Sequence, residues 1–161
     1  MKALLATILL TACALAQNIN TGGQLVGTWR LVSMEDTMSD GSVKPPERFG
    51  SHSIGFLMYE ADGHMCASIM SPDRAAWKDP AKPTAEEKIA YYDTFIAYCG
   101  TYKLEAEKAV VTHYPVVAWT PVYVGSTQVR PFKLEGKRLT FTVANPLLGV
   151  TERVLVWERA E

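Results

Sequence analysis

The two ends of this chain carry matching signatures. Gly27-Thr28-Trp29 opens the first strand-like run, and Trp157-Glu158-Arg159 closes the last one. A sheet that closes on itself brings its first and last strands side by side. The two signatures then meet at one end of a barrel. There the indole closes the floor and the guanidinium can stack on it.

The runs between the ends are short, alternate in polarity, and are separated by turn signals. They fall at about 25–34, 53–59, 64–70, 98–104, 109–116, 126–134, 138–143 and 152–159. Ala61-Asp62-Gly63, Glu105-Ala106-Glu107-Lys108 and Glu135-Gly136 read as hairpin turns. One segment breaks the pattern. Pro72, Pro80 and Pro83 mark a loop. Thr84-Ala85-Glu86-Glu87 is then a capping box, and Ile89, Tyr92 and Ile96 recur at helical spacing. The expected fold is all-β: an eight-stranded antiparallel up-and-down barrel, with one helix at about 85–97 inserted between strands three and four.

Longer blocks carry a resemblance. LVGTWRLVS (25–33), GFLMYEADGHM (55–65), SPDRAAW (71–77), AYCGTY (97–102) and GSTQVRPFKLEGKRLTF (125–141) stand in a characteristic order. Together with the Gly-x-Trp and the packing Arg near the C-terminus, they resemble the bacterial lipocalin-like domain family, calycin-type β-barrels that are mostly uncharacterised. The likeness covers about residues 24–159. It implies a lipocalin-like barrel more firmly than any activity. His113 and the pair Gln128-x-Arg130 occupy places where that family often has the same residues.

Residues 1–16 read as a signal peptide. Lys2 is a minimal positive region, 3–12 is apolar, and Ala14-Leu15-Ala16 is a small-x-small cleavage site. The apolar stretch is too short to span a bilayer. A competing export reading takes Leu10-Thr11-Ala12-Cys13 as a lipobox, with lipid attached to Cys13. Either way the protein is expected to be exported, secreted or periplasmic. Residues 17–24 form a short N-terminal segment and 25–161 the barrel domain. Sixteen basic and seventeen acidic residues leave a formal charge of −1. No basic patch stands out, so nucleic acid is not an expected partner, and no later run is apolar enough to span a membrane. Cys66 and Cys99 form either a disulfide, as export favours, or two buried thiols.

Period-two alternation assigns the faces. Gln128, Arg130, Phe132 and Leu134 share one face, and its apolar members mark it as interior. Tyr98, Gly100 and Tyr102 share a face, as do Val111 and His113, and Leu139 and Phe141. The expected ligand-binding set is Tyr102, His113, Gln128, Arg130, Phe132 and Phe141. No Asp or Glu falls on these faces. An inward Arg130 therefore either joins a polar network or awaits an anionic ligand, since an unpaired buried charge is costly; the third alternative is that it points outward. Asp73-Arg74 reads as a loop ion pair or a rim contact. Trp77, Trp119 and Tyr123 lie in Pro-containing loops, where they either rim a pocket or cap the core.

No cofactor motif, metal-ligand pattern or catalytic constellation is present in the sequence. The favoured function is a binding protein for a small hydrophobic molecule, with or without a carboxylate. One alternative is an isomerase or cyclase acting on a polyketide- or polyene-like substrate in the same cavity. Another is a filled, ligand-free structural barrel.

Overall fold

The computed structural model describes residues 21–144 and 149–161. The expected signal peptide (1–16), the alternative lipid site Cys13 and residues 17–20 lie outside the described residues. A short helix, α1 (Thr21–Leu25), leads into β1 (Gly27–Met38). There follow β2 (Val43–Lys44), β3 (Ile54–Tyr59), β4 (His64–Met70), α2 (Ala85–Asp93), β5 (Phe95–Glu105), β6 (Val110–Ala118), β7 (Gln128–Glu135), β8 (Arg138–Ala144) and β9 (Val150–Arg159).

Each long strand pairs antiparallel with the next, and β9 returns to pair with β1. The β1–β9 seam runs from Trp29↔Arg159 to Met38↔Val150. Because β1 is twelve residues long, it serves β3 with its first part and β9 with nearly its whole length. β1 and β3 to β9 thus make a closed eight-stranded antiparallel barrel. The two-residue β2 is added beside the far end of β1, at Asp36↔Lys44.

Counted along the chain, α2 follows β4 and precedes β5 rather than lying between β3 and β4; the number differs because β2 enters as an extra strand, and within the eight-stranded barrel β4 and β5 are the third and fourth strands. The pairing of Val43 and Lys44 with β1 adds a strand that the Pro-rich approach at Pro45-Pro46 had hidden. α2 also ends at Asp93 rather than near 97. Phe95, Ile96 and Ala97 pair with Met70, Ile69 and Ser68 instead, because ladder bonds to β4 offer more than another exposed helical turn. The Thr84 capping box forms as the spacing requires: Thr84 Oγ1 accepts from Glu87 N–H, and Glu87 Oε2 accepts from Thr84 N–H.

Arg74 makes no ion pair with Asp73 among the described residues. It donates to Tyr91 O at 3.1 Å and stacks on the Tyr91 ring at 4.0 Å, pinning the loop to α2.

The core fills one end of the barrel. Trp29, Trp157, Tyr59, Leu25, Leu57, Met65 and Leu139 are buried there. Burying large apolar side chains contributes about 1.5–3 kcal/mol each. Gly100 lets two strands close tightly: a Cβ there would stand 2.0 Å from Tyr114 O. The β5–β6 register slips at this point, between Cys99 and Gly100.

Candidate functional site

The opposite half of the barrel is not filled. β6 pairs with β7 only over Val110↔Pro131 to His113↔Gln128. Beyond His113, β6 continues to Ala118 without a β7 partner, and residues 119–127 cross the gap. Trp119 and Tyr123 from that crossing pack edge to face, with ring centres 4.6 Å apart, and Tyr123 reaches the Tyr98 ring at 5.4 Å.

Behind them lies a cavity of about 220 Å³. Its apolar wall includes Met34, Leu57, Ile69, Phe141, Leu155 and Trp157, and its polar wall has Tyr98, His113, Gln128, Arg130 and Arg153. A second chamber of about 240 Å³ continues toward the mouth, against Phe49, Trp119 and Val150. The two share Ile96, Tyr123 and Arg153, which form a neck between them. Each chamber alone is smaller than the ~300–1,000 Å³ usual for small-molecule pockets.

His113 is almost completely buried. Its Nε2 lies 2.6 Å from the Tyr59 hydroxyl and its Nδ1 lies 2.9 Å from the Tyr98 hydroxyl. Burial, and secondarily the Arg130 charge, push its pKa down to about 3. At neutral pH the ring is therefore neutral and both nitrogens are engaged, which suits a hydrogen-bonding bridge and not a proton-transfer catalyst. Burial pushes the phenols of Tyr59 and Tyr98 up, against a smaller opposing effect of Arg130. Both stay protonated.

Arg130 is half-buried and faces the cavity from β7. It donates to its neighbour's carbonyl, Val129 O, at 3.1 Å and to Gln128 Oε1 at 3.1 Å. Gln128 is steadied in turn by donating to Ser126 Oγ at 2.8 Å. Among the described residues no carboxylate lines the inner chamber. The nearest acid at the neck, Asp36, is already occupied: Arg153 grips it with both arms, Nε–Oδ1 at 2.6 Å and Nη2–Oδ2 at 2.8 Å. The Trp157 indole N–H is buried and finds no protein acceptor among the described residues. The inner chamber is thus an apolar cup with hydrogen-bond donors on its wall and no anion.

Of the residues expected at the site, His113, Gln128, Arg130 and Phe141 lie on the wall of the inner chamber. Phe132 shares their face but is packed in the core, as is Leu139. Tyr102 also shares that face yet does not reach the cavity. Its ring packs against Tyr59 at 4.7 Å and its hydroxyl donates to Glu60 O at 3.0 Å. Tyr98, four residues earlier on β5, stands where Tyr102 was expected. Alternation puts Tyr98 and Tyr102 on the same face, but roughly 13 Å apart at ~3.3 Å per residue; Tyr102 is the register partner of His113, yet its side chain turns to Glu60 and the Tyr98 side chain reaches the ring. Tyr59 and Arg153 carried no signal beyond strand position.

A family model described as a lipocalin-like domain matches residues 26–160. Among solved structures, the lipoprotein YedD from Klebsiella pneumoniae subsp. pneumoniae MGH 78578 is similar at 12% identity. That match covers 85% of this chain and 72% of the other, with a TM-score of 0.41. A mutant of the fluorescent protein UnaG is similar at 14% identity, covering 86% of this chain and 98% of the other, with a TM-score of 0.40. No curated protein matches the sequence. With the family model spanning the closed barrel from first strand to last, the chain belongs to the lipocalin-like domain family.

Proposed function

We propose that this protein is an exported carrier for a small hydrophobic molecule whose buried end bears a carboxylate or similar acidic group. The observation that carries the reading is the position of Arg130: a guanidinium on the wall of an apolar chamber, whose hydrogen bonds among the described residues go to Val129 O and Gln128 Oε1. An anionic ligand end would supply the charge-assisted partner this cation lacks. The apolar tail would occupy the inner chamber and pass the neck at Ile96 and Tyr123 into the outer one. His113, Gln128, Arg130 and Phe141 are the ligand contacts in this reading, with Phe132 supporting them from below and Tyr102 acting only through Tyr59.

Export, with residues 1–16 as the signal peptide and 25–161 as the barrel domain, is part of the proposal. It is supported by the cleavage-site pattern and by the disulfide between Cys66 and Cys99. An isomerase or cyclase has less support, since His113 is neutral and fully engaged.

Decanoic acid and methyl decanoate are suitable probes, titrated calorimetrically into the protein and its Arg130→Met variant. The acid should lose about 10-fold or more in affinity, and the ester much less. Equal losses for acid and ester would remove the carboxylate role. Native mass spectrometry of the protein purified from its own host should reveal a bound acid.

A further inference from the structure

We propose that Tyr59, His113 and Tyr98 form a hydrogen-bond relay of fixed polarity. The relay holds His113 as its Nδ1–H tautomer and turns the Tyr98 hydroxyl proton into the cavity. Tyr98 and Arg130 then act as a two-point donor that selects ligands ending in a pair of acceptor oxygens. The ligand half of this inference rests on the binding reading above; the relay itself does not.

The polarity follows from counting donors and acceptors. A neutral imidazole has one N–H and one bare nitrogen, so one tyrosine must donate to the ring and the other must accept from it. Tyr59 is fully buried at the closed end of the barrel, and His113 Nε2 is its hydroxyl's one partner among the described residues. If Nε2 carried the proton, the Tyr59 hydroxyl hydrogen would be buried without an acceptor, at the full desolvation cost of a polar donor. Tyr59 therefore donates to Nε2. Nδ1 then carries the proton and donates to the Tyr98 oxygen.

Both contacts, 2.6 Å at Tyr59 and 2.9 Å at Tyr98, lie within hydrogen-bond range, and the donor count assigns the proton.

Near the Tyr98 hydroxyl stands the Arg130 guanidinium, whose charge acts on this phenol and which lines the same chamber. Arg130 is a donor in every state, so it cannot take the Tyr98 proton. That proton turns toward the chamber that Tyr98 and Arg130 both line. A carboxylate accepts from both groups at once. An alcohol end offers both donors a single neutral oxygen, without the charge that a carboxylate sets against the Arg130 cation.

The relay is tested without any ligand by long-range nitrogen–proton correlation NMR on the 15N-labelled protein at pH 7. His113 Nδ1 should show a pyrrole-type shift and Nε2 a pyridine-type shift. The reverse assignment overturns the relay. The ligand half is tested with decanoic acid, methyl decanoate and 1-decanol against the wild type and Tyr98→Phe. The Phe ring keeps the packing on Tyr123, and a thermal melt checks the fold. The wild type should bind the acid about 10-fold tighter than the alcohol, and Tyr98→Phe should lose most of that preference. An unchanged preference in Tyr98→Phe overturns the donor role of Tyr98. The Nδ1–H tautomer in a protein that binds no probe upholds the relay and overturns the ligand half together with the binding reading.

Discussion

The guanidinium carbon of Arg159, on the last strand, lies 4.3 Å from the centre of the Trp29 ring, on the first. The same guanidinium donates to Val26 O at 2.8 Å and to Gln24 O, while the Trp29 indole N–H donates to Leu25 O at 2.9 Å. One side chain from the end of the protein thus holds residues 24–26 across the barrel floor. The close approach requires Gly27, which has φ of 125° and leaves 2.7 Å between an added Cβ and Arg159 Nη1.

Trp29→Ala should lower unfolding free energy by about 3–5 kcal/mol, as buried aromatic truncations do. Gly27→Ala should cost about 1–3 kcal/mol through backbone strain and displacement of Arg159. Urea denaturation measures both. A loss below about 1 kcal/mol for Trp29→Ala would mean that the floor does not carry the closure.

Asp36 and Arg153 tie β1 to β9 at the neck between the two chambers, and the Asp36 side chain is only 5% exposed. Arg153→Met should destabilise by about 3 kcal/mol, because it strands a buried carboxylate. The paired variant Asp36→Leu with Arg153→Met should recover much of that loss. Chemical denaturation in a double-mutant cycle reads the coupling; additive losses would contradict it.

His113 makes stability pH-dependent with a definite sign. Its folded pKa of about 3 lies below the ordinary ~6.5 of the unfolded chain. Between those values the unfolded state binds a proton that the folded state refuses. Stability is therefore complete above about pH 6.5 and declines as pH falls toward 3, by up to about 4 kcal/mol. Exposed carboxylates whose pKa is lowered by hydrogen bonds, such as Asp62 and Glu87, add to acid loss at the lower end. The contribution of His113 is isolated by comparison with His113→Gln. Its stability should fall less between pH 6.5 and 4.5 than that of the wild type. Parallel curves would remove this role.

Cys66 and Cys99 sit directly opposite each other on β4 and β5 and are joined. The chain between them spans 33 positions, and closing a loop of that order in the unfolded state stabilises by about 3–4 kcal/mol. The Cys66→Ala, Cys99→Ala double variant should be less stable by about 2–4 kcal/mol. Intact mass before and after reduction should differ by two hydrogens. A free-thiol assay that finds both cysteines reactive without reductant would overturn this.

What the chain determined by itself is local or periodic. Alternation along residues 128–134 and 138–143 identifies the faces that carry Arg130, Phe132 and Phe141, since successive side chains in a strand must oppose. Thr84 and Glu87 announce α2, because a capping box needs only three residues' separation. The Trp29 and Arg159 signatures foretell closure because a barrel must join its ends.

Tertiary structure decided heights and partners. Alternation names a face but not where a side chain reaches, so it could not choose Tyr98 over Tyr102 for His113. Register makes Tyr102 the cross-strand partner of His113, yet it is the Tyr98 hydroxyl, from four residues along β5, that meets the ring. Pairing of Cys66 with Cys99, the grip of Arg153 on Asp36, and the donation of Tyr59 to His113 each join residues far apart in sequence. Such contacts depend on inter-strand register and side-chain rotation, which no single strand encodes. The addition of Val43 and Lys44 to the sheet was hidden for the same reason: two residues carry no period, and only the free edge of β1 beyond β3 makes them a strand.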